Sequence, residues 1–248
     1  MSLLTALTTE EGVQGERDLI GGYQPLESGL YNCMITMAYL KKSSGGALGL
    51  TLHMKTEENR EIRETIYVTS GDAKGNSHKF TNSKGEQGYL PGFLLGDSLC
   101  LLTVGAPLSS IQTEDKVVNV YSAESKKEEP TTVPVLMALL NQPITAGVLK
   151  QIEDKPVMND AGKYVPSGET RTINVIEKFF RAADGLTVPE IRGGCTAAEF
   201  KQTWAHQNNG TVRDRSTKNV TAIAGATSSA FGQASAKPQE SLFSAPGA

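Results

Sequence analysis

Residues 29–40 read GLYNCMITMAYL. Tyr31, Cys33, Ile35, Met37 and Tyr39 fall on one side of this run, and Asn32, Met34, Thr36 and Ala38 on the other. Period two over such a length belongs to a β-strand, because successive side chains of an extended backbone point to opposite faces. The pattern repeats downstream. After the cationic turn Lys41-Lys42-Ser43-Ser44-Gly45-Gly46, the residues Leu48, Leu50, Leu52 and Met54 face one way and Gly49, Thr51 and His53 the other. Glu57-Glu58-Asn59 makes a second turn, and residues 61–68 set Ile62, Ile66 and Val68 against Arg63, Thr65 and Tyr67. Three strands joined by short polar turns predict an antiparallel meander.

Beyond the meander the pattern loosens. Residues 69–92, TSGDAKGNSHKFTNSKGEQGYLPG, are dense in Gly, Ser, Asn and Lys and predict a long inserted loop. Loops of that length in compact domains are commonly functional. FLLGDSLCLLTV (93–104) predicts an apolar helix capping the sheet, and residues 115–121 a further strand. Residues 125–129 read as a charged turn, followed by Pro134 and a short helix through Val135, Leu136, Leu139 and Leu140. Residues 147–157 and 171–180 alternate as strands, with a hairpin-like turn at Asn159-Asp160-Ala161-Gly162. Thr196 and Glu199 have capping-box spacing, which predicts a helix with Ala197, Phe200 and Trp204 on one face, ending near Asn208-Asn209-Gly210. Trp204 is expected to anchor that helix on the sheet. From Ala222 onward the composition collapses to Ala, Ser, Thr, Gly, Gln and Pro, which predicts a disordered tail. Leu242 and Phe243 near its end offer an apolar motif for docking a partner.

The whole chain has 248 residues, 6% aromatics, 25 Gly and 11 Pro, the profile of a loop-rich, mainly β protein. Its 24 Lys plus Arg against 27 Asp plus Glu give a net charge of -3. That total is unevenly placed. Residues 1–28 hold Glu10, Glu11, Glu16, Asp18 and Glu27 against Arg17 alone, a net of -4 that leaves +1 for the rest. A histone-like coat is excluded, whereas a localised cationic groove is not. No run approaches the roughly 18 apolar residues of a membrane span. The first residues lack the cationic and apolar regions of a secretion leader. Cys33, Cys100 and Cys195 are scattered and odd in number, so neither a disulfide framework nor a zinc module is expected. Cys33 and Cys100 sit in apolar runs as core thiols, and the compartment reads as reducing and cytoplasmic.

Catalytic constellations are missing. His53, His78 and His206 form no metal-ligand motif, and the chain has no GxSxG elbow, Walker loop or GxGxxG turn. Neither an enzyme nor a cofactor is expected. Cations instead recur beside aromatics: Tyr39 with Lys41 and Lys42, Arg63 with Tyr67, Lys79 with Phe80, and Lys84 with Tyr89. Single-stranded nucleic acid calls for this combination, since cations track phosphates while rings stack on unpaired bases at about 1–3 kcal/mol per base. Arg63 and Tyr67 lie opposite Ile62 and Ile66 and so project outward. For any one pair a plainer account competes, with Tyr67 covering a sheet edge and Arg63 pairing with Glu61 or Glu64. The clustering of four such pairs favours binding. Lys74, Lys79 and Lys84, five residues apart, read as a cationic flap. Arg213, Arg215 and Lys218 either extend a phosphate path or solubilise the join to the tail.

YNCMITMAYLKKSSGGALGLTLHM, REIRETIYVTSGDAKGN, YLPGF and SLCLLTVG, within roughly residues 23–105, resemble single-stranded DNA-binding proteins encoded by tailed bacteriophages. The resemblance implies an OB-like antiparallel barrel with small helical elaborations and a disordered C-terminal tail. It also implies a protein that coats single-stranded DNA during phage replication, recombination and repair, in the cytoplasm of the infected host. The expected organisation is an acidic arm over 1–22, an OB-like domain over 23–210 with the inserted loop 69–92, and a basic join and flexible tail over 211–248. In one respect the chain departs from proteins of this kind, many of which end in a strongly acidic tail. Residues 222–248 carry only Lys237 and Glu240, so recruitment of replication proteins would rest on Leu242 and Phe243. The expected DNA contacts are Tyr39, Lys41, Lys42, Arg63, Tyr67, Lys74, Lys79, Phe80, Lys84 and Tyr89. The alternative is a phage structural or assembly protein that binds protein instead of DNA.

Overall fold

The alternating segments form β1 (Gly29–Lys42), β2 (Leu48–Thr56) and β3 (Glu61–Tyr67), each antiparallel to the one before. The computed structural model describes residues 24–122, 125–159 and 164–217. Leu50, Leu52 and Met54 of β2 and Ile62 and Ile66 of β3 are buried on one side of the meander, as the alternation predicts. β1 departs from it. Ile35 stands opposite Met54 but Met37 opposite His53, so Thr36 is an extra residue, a β-bulge whose hydroxyl donates to the His53 carbonyl at 3.0 Å. One inserted residue turns every following side chain over. Cys33 and Ile35 face the main core, yet beyond the bulge Ala38 and Leu40 take over that role. Met37 and Tyr39, expected on the Ile35 face, point the opposite way.

Residues 69–92 are not an open loop. A 3₁₀ turn at Asp72–Lys74 leads into a small hairpin, β4 (Lys79–Thr81) with β5 (Gln87–Tyr89). The Asn82 side chain closes its turn by accepting the N–H groups of Lys84 and Glu86, both at 2.9 Å. The apolar run follows as helix α1 (Pro91–Thr103), with Pro91 in its first turn. Then come β6 (Glu114–Ser122) and β7 (Lys127–Val135), a second hairpin. The expected charged turn at 125–129 is thus largely strand. The helix expected after Pro134 shrinks to a 3₁₀ turn at Met137–Leu139. Pro130 and Pro134 fit β7 because, among the described residues, its other edge meets β1 at one position, Val135 opposite Tyr39.

The longest pair is β8 (Pro143–Met158) with β9 (Tyr164–Arg181). Of the turn expected at 159–162, residues 160–162 lie outside the described residues, as does residue 163. Helices α2 (Val188–Arg192) and α3 (Glu199–Asn208) and the short β10 (Val212–Asp214) complete the order. The capping box occurs at Thr187 and Glu190, opening α2. The sequence expectation had placed it at Thr196 and Glu199. α3 begins after Ala198 without a side-chain cap, and the Glu190 carboxylate accepts the Phe200 N–H at 2.9 Å, ligating a donor of its first turn. Trp204 anchors α3 as expected, buried against Leu149 and Phe180, with its indole N–H donating to Glu177 at 3.0 Å.

The strands lie in the order β9-β8-β1-β2-β3, with β10 parallel to β8 beyond the point where β1 leaves it. α1 packs against both β3 and β9, the outer strands of that path. Among the described residues no backbone ladder joins these two strands. The Glu64 carboxylate bridges them instead, accepting the N–H of Ile176 at 2.5 Å. Between sheet and helix lies the main core, where Leu50, Leu52, Met54, Leu99, Ile144 and Phe179 are almost wholly buried. Each such side chain contributes on the order of 1.5–3 kcal/mol. No helix among the described residues is long and apolar enough to cross a membrane.

Candidate nucleic-acid interface

The face of the meander turned away from the main core carries the cations and aromatics, and two hairpins flank it. On one flank the segment 69–92 folds back on itself. Ser70 and Ser77 bond through their backbones at 2.8 Å, and the Ser70 hydroxyl also accepts the Ser77 N–H at 2.9 Å. Leu90 N–H donates to the His78 carbonyl, closing the base of β4 and β5. Between this flap and the end of β3 opens a cleft of about 930 Å³. Tyr67, Lys74, Lys79 and Phe80, four of the expected contacts, line it together with Ser70, Ser77 and Thr69. No carboxylate is among its lining groups. Tyr67 is 51% exposed and Phe80 46%, so both rings offer a face to a planar ligand.

Tyr89 is placed differently from Phe80. Its ring stacks on His78 at 5.7 Å, tilts against Phe93 at 5.4 Å, and lies 5.5 Å from the Lys79 ammonium. The three rings make a platform that ties the flap to α1, with half of Tyr89 still open to solvent. Lys84 is exposed in the turn of the flap and Lys42 at the end of β1.

The other flank corrects part of the sequence reading. The β6–β7 hairpin covers the outer face of β1, and Tyr39, only 4% exposed, is buried there with Val120, Val133 and Val135. A ring so enclosed has no face for a base, and burial pushes its hydroxyl pKa up. The bulge at Thr36 is the cause, since it turned Tyr39 toward this second cluster. Arg63 does project outward, but its guanidinium holds Glu61 at 3.0 Å and Glu128 of β7 at 2.9 Å. Both bonds raise its pKa. Lys41 donates to the Tyr121 carbonyl at 3.4 Å. Arg63, Lys41, His53 and Glu128 thereby line a crevice of about 280 Å³ beneath the hairpin. Burial, and then the charge of Arg63, lowers the pKa of His53.

Cleft and crevice adjoin across one row of the sheet. Lys41 of β1, Gly49 of β2 and Tyr67 of β3 stand side by side in register. A Cβ at Gly49 would meet Thr65 Cγ2 at 2.6 Å and the Tyr67 ring at 3.4 Å, so glycine keeps the floor between them shallow. Sequence reading did not single out Gly49, Tyr121 or Glu128, since nothing local marks a residue as lying across from a distant strand. Of the late basic segment, neither Arg213 nor Arg215 lines the cleft or the crevice. Arg213 is committed to Glu177 at 2.7 Å and Gln151 at 2.9 Å, and Lys218 lies outside the described residues, as do residues 1–22, Leu242 and Phe243.

Among the described residues no group of three or more His, Cys, Asp and Glu is placed to hold a metal ion. Cys33 and Cys100 are buried, with pKa values pushed up to about 12 by desolvation, and Cys195 is exposed. No protein-family model matches the chain, and no curated protein matches it significantly.

Proposed function

We propose that this protein binds single-stranded DNA without sequence preference, as the phage-encoded proteins that it resembles in sequence do. The observation that carries the reading is the cleft beside β3. It joins two half-exposed rings, Tyr67 and Phe80, to two ammonium groups, Lys74 and Lys79, with no carboxylate among its lining. Rings accept any base, ammonium groups follow any phosphate, and neither reads sequence. The proposal includes an OB-like, partly open barrel made by β1, β2, β3, β8 and β9, with α1 filling the gap between β3 and β9. No chemical step is involved. The protein holds the strand unpaired because it binds that form more tightly than duplex, the linkage by which any ligand shifts an equilibrium. Action in phage replication, recombination and repair, in the host cytoplasm, belongs to the same proposal, as does recruitment of replication proteins through Leu242 and Phe243.

Titration of a labelled oligo-dT at two salt concentrations, against a duplex competitor, tests the reading. Binding that weakens with salt and prefers the single strand is the expected result. No binding at low salt, or equal binding to duplex, would overturn it and favour the assembly-protein alternative.

A further inference from the structure

The crevice under the β6–β7 hairpin has a feature that the cleft lacks, an anion already in place. Arg63 lies on the outer face of β3, four residues from Tyr67 on the same face, about 13 Å away along an extended strand. Its guanidinium is held by Glu61 of its own strand and by a carboxylate from another element, Glu128. Arg63 and Glu128 are each about half exposed, at 50% and 49% of their side-chain surface, so the pair is wet. Exposed pairs of this kind are weak enough for a competing anion to replace one partner. The hairpin that carries Glu128 is held unevenly. Val135 and Val133 near its base and Val120 farther out, next to Tyr121, pack on Tyr39, and among the described residues its ladder with the sheet is confined to Val135 opposite Tyr39. Toward the tip, the Arg63–Glu128 pair and the long Lys41–Tyr121 bond tie it to the sheet. One tie uses Lys41, a member of the Lys41-Gly49-Tyr67 row, and the other uses Arg63, four residues along β3 from Tyr67.

We propose that Glu128 occupies, in the free protein, the position of a backbone phosphate of the bound strand, and that the β6–β7 hairpin is a latch which the strand opens by taking Arg63 from it. This inference rests on the single-stranded DNA reading and deepens it by extending the track from the cleft across Gly49 into the crevice. A phosphate in place of Glu128 would meet the Nη1 side of the guanidinium through charge-assisted N–H···O bonds, with Nε remaining on Glu61. Released from Arg63, Glu128 is returned to water. Tyr121, 58% exposed beside Lys41, then becomes a further ring along the path.

The test is a set of oligo-dT titrations on the full chain across a salt series. Glu128→Gln and Glu128→Ala are expected to tighten binding about three- to fivefold, the upper range for an exposed ion pair. Glu129→Ala, which removes the same charge one residue away, is expected to change it less than about twofold. Arg63→Ala should weaken binding and lower the salt slope by about 0.7, one phosphate contact on a single strand. In the Arg63→Ala background the gain from Glu128→Gln should vanish. Equal gains from Glu128 and Glu129, or a gain that survives without Arg63, would overturn the latch while wild-type binding left the cleft intact. Failure of every variant and of the wild type to bind would overturn both.

Discussion

Glu64 lies between Ile62 and Ile66 on the same face of β3 and so faces the core, where a carboxylate is costly. Its pKa is raised to about 7, chiefly by burial, against the bond from the Ile176 N–H and the charge of Arg213. The folded protein therefore holds a proton that the unfolded chain, with a value near 4.5, has released. The sign follows directly. This residue destabilises the fold progressively as pH rises from about 4.5 to 7, by on the order of 3 kcal/mol in all. Glu64→Gln keeps an acceptor for Ile176 and loses the titration. Urea unfolding at pH 5 and pH 8 should show the difference between the two pH values shifted in the variant by about 2–3 kcal/mol, in favour of pH 8. An unchanged difference would contradict the assignment. At the same scale, Tyr67→Ala should weaken oligo-dT binding at high salt more than Lys74→Ala does, because stacking survives screening and phosphate contacts do not. Equal losses at every salt concentration would remove Tyr67 from the stacking surface.

At the scale of elements, the flap and the helix after it are built as one unit. Gly92, in the first turn of α1, passes so close to β3 that a Cβ there would collide with the Tyr67 carbonyl oxygen and lie 3.0 Å from its carbon. Gly92→Ala must push the helix start away from the strand that carries Tyr67. An overpacking cost of about 1–3 kcal/mol is expected, read as a lower urea midpoint, together with weaker oligonucleotide binding. A wild-type midpoint would show that the helix start gives way freely. The elements also show where reading the chain succeeded. β2, β3 and α1 were legible because apolar residues recur on a buried face, and β8 and β9 were legible only in part, since their halves nearer the turn between them are largely exposed and carry a weaker period. β7 was not, because two prolines and a charged run mask a strand paired mainly with its own hairpin partner. The flap was read as a loop, since β4 and β5 of three residues each are too short to show a period. Its turn chemistry at Asn82 was the signal that could have revealed it. The capping box was assigned to the wrong helix because Thr187 and Glu190 carry the same spacing as Thr196 and Glu199, and spacing alone does not choose between them.

For the molecule as a whole, the cysteines report on the integrity of the fold. Cys33 and Cys100 are sealed in the main core, whereas Cys195 is exposed between α2 and α3. A thiol reagent at pH 8 should modify one cysteine in the native protein and three in urea. Rapid labelling of all three without denaturant would mean that the core opens far more readily than its packing implies. The same whole-molecule view explains the charge. A net of -3 is compatible with a cationic cleft because lysines gather along one flap, while elsewhere charges such as Arg171 with Glu153 and Arg181 with Asp184 pair among themselves.

The sequence by itself determined the strands of the meander, the helix after the flap, and the residue types of the candidate track, because burial periodicity and side-chain chemistry are local properties. Only the tertiary structure decided which of those residues share a surface. The extra residue at Thr36 turned Tyr39 to the outer face, under the β6–β7 hairpin, the flap brought Lys74, Lys79 and Phe80 to Tyr67, and a hairpin from far along the chain set Glu128 on Arg63. Contacts across a sheet depend on register and on which strand lies beside which, and neither is encoded within the segment that makes the contact.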